Sequence, residues 1–393
     1  MRFDLPKNVT LILDRFNGAG YSAYVVGGPV RDLLRGVTPY DYDITTNAKP
    51  SEIKALFSDI KTVDTGIKHG TVTLVVESEP YEVTTYRIDG EYLDARHPAD
   101  VEFTDRLELD LLRRDFTMNA IAYNPRVGLV DTTGGVADIE AKIIRAVGEP
   151  SLRFSEDALR ILRALRFSAT LGFEIEERTA DAIFALKANL DFVSGERVYA
   201  ELKKMLSGGF LSPVISGFMP VLSFIVPEWE GIESPESVKF ATDFSVNLIA
   251  LFARAGASAE AFEERMRALR SDNATIKAGR AVLYALGRHS LKSKADLIDL
   301  CLDIGAEYAS LSVRVAAALS LADSSTLAAL DEILKTTPIT LKDLRISGKD
   351  LSAIGLAGEE IGRTLSRLLR SAALGEVENE KEALLSVAKN GEF

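Results

Sequence analysis

A single cysteine, Cys301, stands in 393 residues, so neither an intramolecular disulfide nor a cysteine-built zinc site can form. The histidines are also few. His69, His97 and His289 fall short of what a His-Asp phosphohydrolase needs, and no His-x-x-x-His pair, Walker A pattern or nucleophile elbow occurs. Positive charge is in deficit: 46 Lys and Arg against 58 Asp and Glu leave −12. No global basic field therefore advertises a nucleic-acid partner, and a polyanion must use a local basic face. No apolar leader with a small-residue cleavage site follows Met1, and the thiol count points to a reducing, cytoplasmic setting. Only one long uncharged run exists, residues 205–227. Pro213, Pro220 and Pro227 recur in it every seven residues among Gly208, Gly209 and Gly217, so short buried helices are expected there, and no membrane span.

The remaining composition, 47% hydrophobic and 26% charged, is that of a folded protein of two or three domains. Helical and strand patterns alternate over the first 145 residues. Val9 to Phe16 reads as an amphipathic helix, Tyr21 to Val26 as a strand, and Pro29 to Leu34 as a short helix with proline at its start. Thr71 to Glu77 and Tyr81 to Tyr86 read as a hairpin about Ser-Glu-Pro. Beyond Phe154 strand signals nearly vanish; Ser155 reads as a helix cap, and Gly172 and Gly195 as helix ends. The expected fold is α+β, a small mixed sheet with helices followed by an all-α remainder.

Chemistry begins at Gly27-Gly28-Pro29-Val30-Arg31-Asp32 and Asp41-Tyr42-Asp43-Ile44. A strand ending in Gly-Gly before a helix turns backbone N–H groups toward a phosphate, and Arg31 adds a charge-assisted contact. Asp41 and Asp43 alternate about Tyr42, so on a strand both carboxylates face one side. Two hard oxygen ligands beside a phosphate cradle suit Mg²⁺ and metal-assisted phosphoryl chemistry. A lone Asp-x-Asp is ordinarily a solvated turn, and so is a lone Gly-Gly; their combination after a strand carries the inference. Glu82, an acid between apolar neighbours, reads equally as a sheet-face charge and as a third ligand or base.

These residues resemble the DNA polymerase β nucleotidyltransferase superfamily. More closely, 24–206 resembles the class II tRNA nucleotidyltransferases (CCA-adding enzymes) and the related bacterial poly(A) polymerases. The resemblance implies a polymerase-β-like catalytic head over 1–145, a base-selecting helical neck over 146–206, a helical body over 207–320 and a tRNA-binding tail over 321–393. It implies CTP and ATP as substrates, tRNA as partner and two Mg²⁺ ions as cofactor. It assigns Arg114, within Arg113-Arg114-Asp115-Phe116-Thr117, to the nucleotide, and Asp131-Thr132-Thr133-Gly134-Gly135 with Asp138 to a head–neck hinge. The stretch Arg87 to Pro98 resembles the mobile loop of enzymes that add the terminal A. Glu196 to Leu202 resembles a motif that stabilises the neck.

Glu156 to Arg166 is read as one helix carrying Asp157, Arg160, Arg163 and Arg166. Three residues apart, Asp157 and Arg160 are surface neighbours, while Arg166 lies nearly opposite Asp157. A carboxylate acceptor beside a guanidinium donor complements the amino and ring-nitrogen edge of cytosine or adenine. Guanine and uracil present the reverse order and leave polar groups unpaired at about 1–3 kcal/mol each. Asp157 and Arg160 are thus the expected base readers; Arg163 and Arg166 are expected to touch phosphate or brace the neck. Poly(A) addition and a non-catalytic RNA-binding role are the alternatives; both metal aspartates are present, which disfavours the latter.

Overall fold

The computed structural model describes residues 2–64, 66–89 and 101–391, and it divides into two compact units, Met1–Met205 and Leu206–Phe393. Of the loop expected over Arg87 to Pro98, Arg87–Asp89 form a short strand, and residues 90–98 lie outside the described residues. In the first unit the chain runs α1 (Lys7–Gly18), β1 (Ala23–Val26), α2 (Gly28–Leu34), β2 (Ile44–Thr46), α3 (Pro50–Leu56), β3 (Lys61–Val63), β4 (Thr71–Val76) and β5 (Glu79–Thr85). It continues through β6 (Arg87–Asp89), β7 (Val101–Phe103), α4 (Leu107–Leu112), β8 (Ile121–Asn124), β9 (Gly128–Asp131) and α5 (Gly135–Ala141). Next come β10 (Ile143–Ile144), α6 (Pro150–Glu156), α7 (Leu159–Leu171), β11 (Glu174–Ile175), α8 (Glu177–Leu186) and α9 (Gly195–Leu206).

Seven strands make one mixed sheet in the order β3-β4-β5-β2-β1-β8-β9, with β2 and β5 parallel and the other neighbours antiparallel. The alternation that marks β4 as a strand sends Val72, Leu74 and Val76 inward. Its hairpin to β5 turns through only Glu77 and Ser78, both at positive φ (51° and 71°), and Pro80 already pairs with Val75. That is a tighter turn than the Ser-Glu-Pro expected. Helix α1 buries Val9, Ile12, Leu13 and Phe16 at helical spacing, and the Phe16 ring sits 5.1 Å from Phe57. A separate cluster of Val26, Tyr86, Leu107, Leu111, Ala120 and Ala122 seats α4.

No free linker separates residues 145 and 146. Thr117 N–H donates to the Arg145 carbonyl, Val147 N–H donates to Asp115, and β10 pairs in parallel with β11. The expected head–neck boundary therefore falls inside a hydrogen-bonded seam. Gly172 ends α7 at φ 69°, as read, but Gly195 opens α9 where a helix end was expected. The segment assigned to a hinge is a bonded turn: Asp131 Oδ1 accepts from the N–H groups of Thr133, Gly134 and Gly135, and Oδ2 accepts from Val136. Gly134 is left-handed (φ 80°), and a Cβ on Gly135 would meet the Thr117 carbonyl oxygen at 2.1 Å.

The second unit is helical throughout its described residues. Its elements are α10 (Leu211–Ile225), α11 (Phe244–Arg254), α12 (Ala259–Ala268), α13 (Asn273–Leu286), α14 (Lys294–Ile304) and α15 (Ala306–Ala318). They are followed by α16 (Ser324–Thr336), α17 (Gly348–Ala353), α18 (Glu359–Leu374) and α19 (Lys381–Asn390). Asp243, Ser258, Asp272, Ser293 and Asp323 cap helices here through their side chains. Pro220 lies inside α10, and the helix breaks two residues earlier at Phe218 (φ −120°), because proline's ring cannot follow a regular turn. Among the described residues no helix is long and apolar enough to cross a membrane. Cys301 is 1% exposed in the α14–α15–α16 core, and burial pushes its thiol up to about 11.

Gly135→Ala forces a side-chain carbon into a backbone carbonyl that cannot swing away. It should lower stability by about 1–3 kcal/mol, read as a reduced urea midpoint of the full chain.

Candidate active site

Strand β1 ends against the start of β2: Val26 N–H donates to the Asp43 carbonyl at 3.0 Å. The chain then reverses at Gly27, whose φ of 80° and ψ of −132° exclude ordinary side chains, and enters α2. Gly27, where Gly28 was singled out from sequence, is thus the glycine that the turn demands. Its missing side chain also admits Arg114, whose Nη1 lies 3.3 Å from where a Cβ would stand; at Gly28 the nearest atom, on Arg31, is 3.7 Å away.

Asp41 and Asp43 lie just before β2, in extended chain that is not yet ladder. The alternation holds nevertheless: Tyr42 and Ile44 are buried while Asp41 and Asp43 are open. Ile44 is in register with Val83 of the parallel strand β5, which sets Glu82 beside Asp43. Asp43 is solvent-accessible, yet the crowding protein, Asp41 and Glu82 together raise its carboxyl to about 6, with Arg114 opposing them. Glu82 therefore belongs to the same cluster of negative charge. Among the described residues no three acidic, histidine or cysteine side chains are gathered to hold a metal ion unaided. Two carboxylates, with the other positions left to water and phosphate, is the usual way Mg²⁺ is held, and a divalent cation relieves the repulsion recorded at Asp43. The donor set fits.

Arg114 is fixed from below by a residue that sequence reasoning passed over. Asp110, fully buried in α4, accepts from Arg114 Nη2 (3.2 Å), from Arg113 Nε and Nη2 (2.9 and 2.8 Å) and from Thr45 Oγ1 (3.2 Å). Burial works to raise the Asp110 carboxyl, but the two guanidinia win and hold it low. The i,i+4 spacing of Asp110 and Arg114 was the available signal. Arg114 Nε is buried and has no hydrogen-bond partner, an orphan donor of the kind a phosphate oxygen satisfies. Arg31 is buried in α2. Its Nε and Nη2 donate to Asp32 (3.0 and 3.1 Å) and its Nη1 to Asn119 (2.9 Å), leaving one N–H on each terminal nitrogen outside these bonds.

The segment expected to be one helix from Glu156 to Arg166 is two. Helix α6 ends at Glu156, Asp157 is extended (φ −142°, ψ 102°), and α7 begins at Leu159. Asp157 and Arg160 are therefore not surface neighbours on a helix and do not pair. Asp157 Oδ1 instead accepts the Leu159 N–H (3.1 Å), and Oδ2 accepts from Arg197 Nη2 (2.8 Å). Ser155, read as a cap, lies within α6 and donates to the Ser151 carbonyl. Arg160 donates through Nη1 to Glu156 Oε2 (2.6 Å) and the Arg153 carbonyl (3.1 Å), and through Nη2 to the Arg113 carbonyl (3.2 Å). That last bond puts the neck arginine one residue from Arg114. Arg163 and Arg166 take the bracing role: Arg163 Nε donates to Asp115 (2.8 Å), and Arg166 Nε to Glu201 (2.6 Å).

A head of this topology, with two acids at the start of the sheet's central strand and an arginine under the glycine turn, defines a nucleotidyltransferase of the poly(A) polymerase type. Residues 23–145 match the Poly A polymerase head domain, 172–216 the RNA and SrmB-binding site of polymerase A, and 243–388 tRNA nucleotidyltransferase domain 2. The chain is 36% identical over 389 residues to the CCA-adding enzyme of Leuconostoc mesenteroides, covering 96% of this chain and 94% of that one. It is 38% identical to the CCA-adding enzyme of Geobacillus thermodenitrificans, with 95% and 94% covered. The crystal structure of the Bacillus stearothermophilus CCA-adding enzyme in complex with CTP superposes with a TM-score of 0.84 at 32% identity, over 98% of this chain and 96% of that one. The chain belongs to the CCA-adding enzyme family.

Asp115 is buried, and although burial works to raise its carboxyl, Arg163 and Asn119 bring it down to about 2. Below its unfolded value of 3.8 the pair gives stability up progressively as pH falls toward 2, and above that value the contribution is complete. Asp115→Asn should cost about 3 kcal/mol at pH 7, since it strands the Arg163 charge. It should also remove this part of the wild type's loss between pH 4 and 2, both read from urea midpoints across that range.

Proposed function

We propose that this chain is a cytoplasmic tRNA nucleotidyltransferase that adds C, C and A, from CTP and ATP, to the 3′ end of tRNA. The observation that carries the reading is the gathering of Asp41, Asp43 and Glu82 at one place, with Arg114 at the Gly27 turn opposing their charge at Asp43. Support comes from full-length relatives that are CCA-adding enzymes, one of them solved with CTP. The tRNA 3′-hydroxyl attacks the α-phosphate of the bound nucleotide and pyrophosphate leaves. Asp41 and Asp43 are the proposed ligands of two Mg²⁺ ions, which supply charge neutralisation at the reacting phosphate and a lowered pKa for the attacking hydroxyl. Glu82 adds negative charge beside them. Backbone N–H groups at Gly28, with Arg31 and Arg114, orient the triphosphate so that its α-phosphate faces the carboxylates.

Asp157 and Arg160 choose the base. The break between α6 and α7 turns the Asp157 carboxylate off the helix, and Arg197 and Glu156 hold the two side chains from behind. In that arrangement Asp157 accepts from the exocyclic amine of cytosine or adenine, and Arg160 donates to the ring nitrogen. Arg163 and Arg166 contribute to nucleotide binding through the neck they brace. Over the tail, 321–393, tRNA is held by backbone contacts, which makes affinity strongly salt-dependent.

Incubating the protein with tRNA lacking CCA, Mg²⁺ and each nucleotide in turn should give two C additions, then one A, then arrest. Open-ended A addition would instead identify a poly(A) polymerase. Asp41→Ala and Asp43→Ala should each abolish incorporation with unchanged circular dichroism; persistent activity would remove them as metal ligands. Asp157→Ala should reduce the preference for CTP over UTP by roughly 5- to 150-fold, the worth of one unpaired polar group, measured as a ratio of kcat/KM.

A further inference from the structure

Three guanidinium groups gather on one aromatic ring. Phe167 of α7 is 6% exposed, and the Arg31, Arg163 and Arg166 guanidinium carbons lie 5.3, 5.5 and 3.9 Å from its ring centroid. Each arginine has its own carboxylate: Asp32 for Arg31, Asp115 for Arg163 and Glu201 for Arg166. The ring is seated in turn, edge to face, on fully buried Phe116 at 5.8 Å. Neck bracing needs only the Arg163 and Arg166 ion pairs. Arg31 is different, for it comes from α2 in the head and meets the ring of α7.

Two groups fix Arg31 at the rim of its guanidinium, Asp32 on one edge and Asn119 on another. These bonds act in the plane of the guanidinium, and none bears on its face. The Phe167 ring, whose negative face attracts a cation, supplies a third direction of support. We propose that Phe167 is a positioning residue for nucleotide binding: through its ring face it holds Arg31 in the orientation that meets the triphosphate. The proposal rests on the assignment of Arg31 to the nucleotide's phosphates. Phe167 touches no substrate; the part of its effect that runs through Arg31 belongs to CTP and ATP equally, and base choice is left to Asp157 and Arg160.

The test is steady-state kinetics with tRNA acceptors awaiting C or A. Arg31→Ala comes first and should raise KM for both nucleotides; an unmoved KM would remove the phosphate assignment and with it the ground for the Phe167 role. Phe167→Leu, which keeps an apolar side chain but no ring face, should raise KM for CTP and ATP together, on the order of three- to tenfold, the worth of one desolvated cation–ring contact. Its kcat should change less than its KM, and its CTP-over-UTP preference should not move. Phe167→Tyr, which restores the ring, should return KM to near the wild-type value. If Arg31→Ala raises KM while Phe167→Leu does not, or if Phe167→Leu lowers kcat with KM unmoved, the ring is structural only and the proposal fails. It fails equally if Tyr does not rescue. Should Phe167→Leu not fold, Phe167→Met fills a similar volume without a ring face and carries the same expectation of a raised KM; an unaltered value there overturns the proposal.

Discussion

Like charges held side by side govern the start of the central strand β2. Asp41 and Asp43 emerge on one side of an extended segment because Tyr42 and Ile44 must be buried on the other, and the parallel pairing of β2 with β5 adds Glu82. The protein answers that repulsion only in part. Arg114 opposes it from the Gly27 turn, and Arg114 is itself anchored by buried Asp110. Asp43 is consequently left with a carboxyl far above the ordinary aspartate range. The fold thus leaves this cluster of carboxylates short of positive charge.

The same accounting of charge explains how a head rich in strand and a neck rich in helix act as one compact unit. Arginines of α7 end on an acid of the head or of the neighbouring helix, Arg163 on Asp115 and Arg166 on Glu201, and Arg145 at the seam ends on Asp138 of α5. Because several of these partners are buried, each pair fixes direction as well as distance. Arg160 adds to the series by donating to the Arg113 carbonyl, one residue from Arg114.

Much of this was legible from residue order. The alternation at 41–44, the proline at the start of α2 and the paired runs of β4 and β5 follow from local rules that tertiary contacts reinforce. What stayed hidden had no local signature. Asp157 breaks a helix without glycine or proline beside it, because its carboxylate caps the next helix and Arg197, forty residues on, holds it there. Periodicity alone cannot register such a break, since Glu156 and Arg160 keep helical spacing across it. The choice between Gly27 and Gly28 depended on a guanidinium arriving from residue 114, and Gly195 began a helix where glycine usually ends one. Asp115 and Glu201 gained their importance only once arginines from α7 were placed against them.

The lone thiol has a practical side. Sealed among Leu297, Ile298 and Val313 and reluctant to ionise, Cys301 presents no thiolate to oxidants or alkylating dyes. Air oxidation should therefore not cross-link molecules through it. A second cysteine introduced at the surface would be the one reactive sulfur on the chain, ready to carry a fluorophore without first mutating the native residue away.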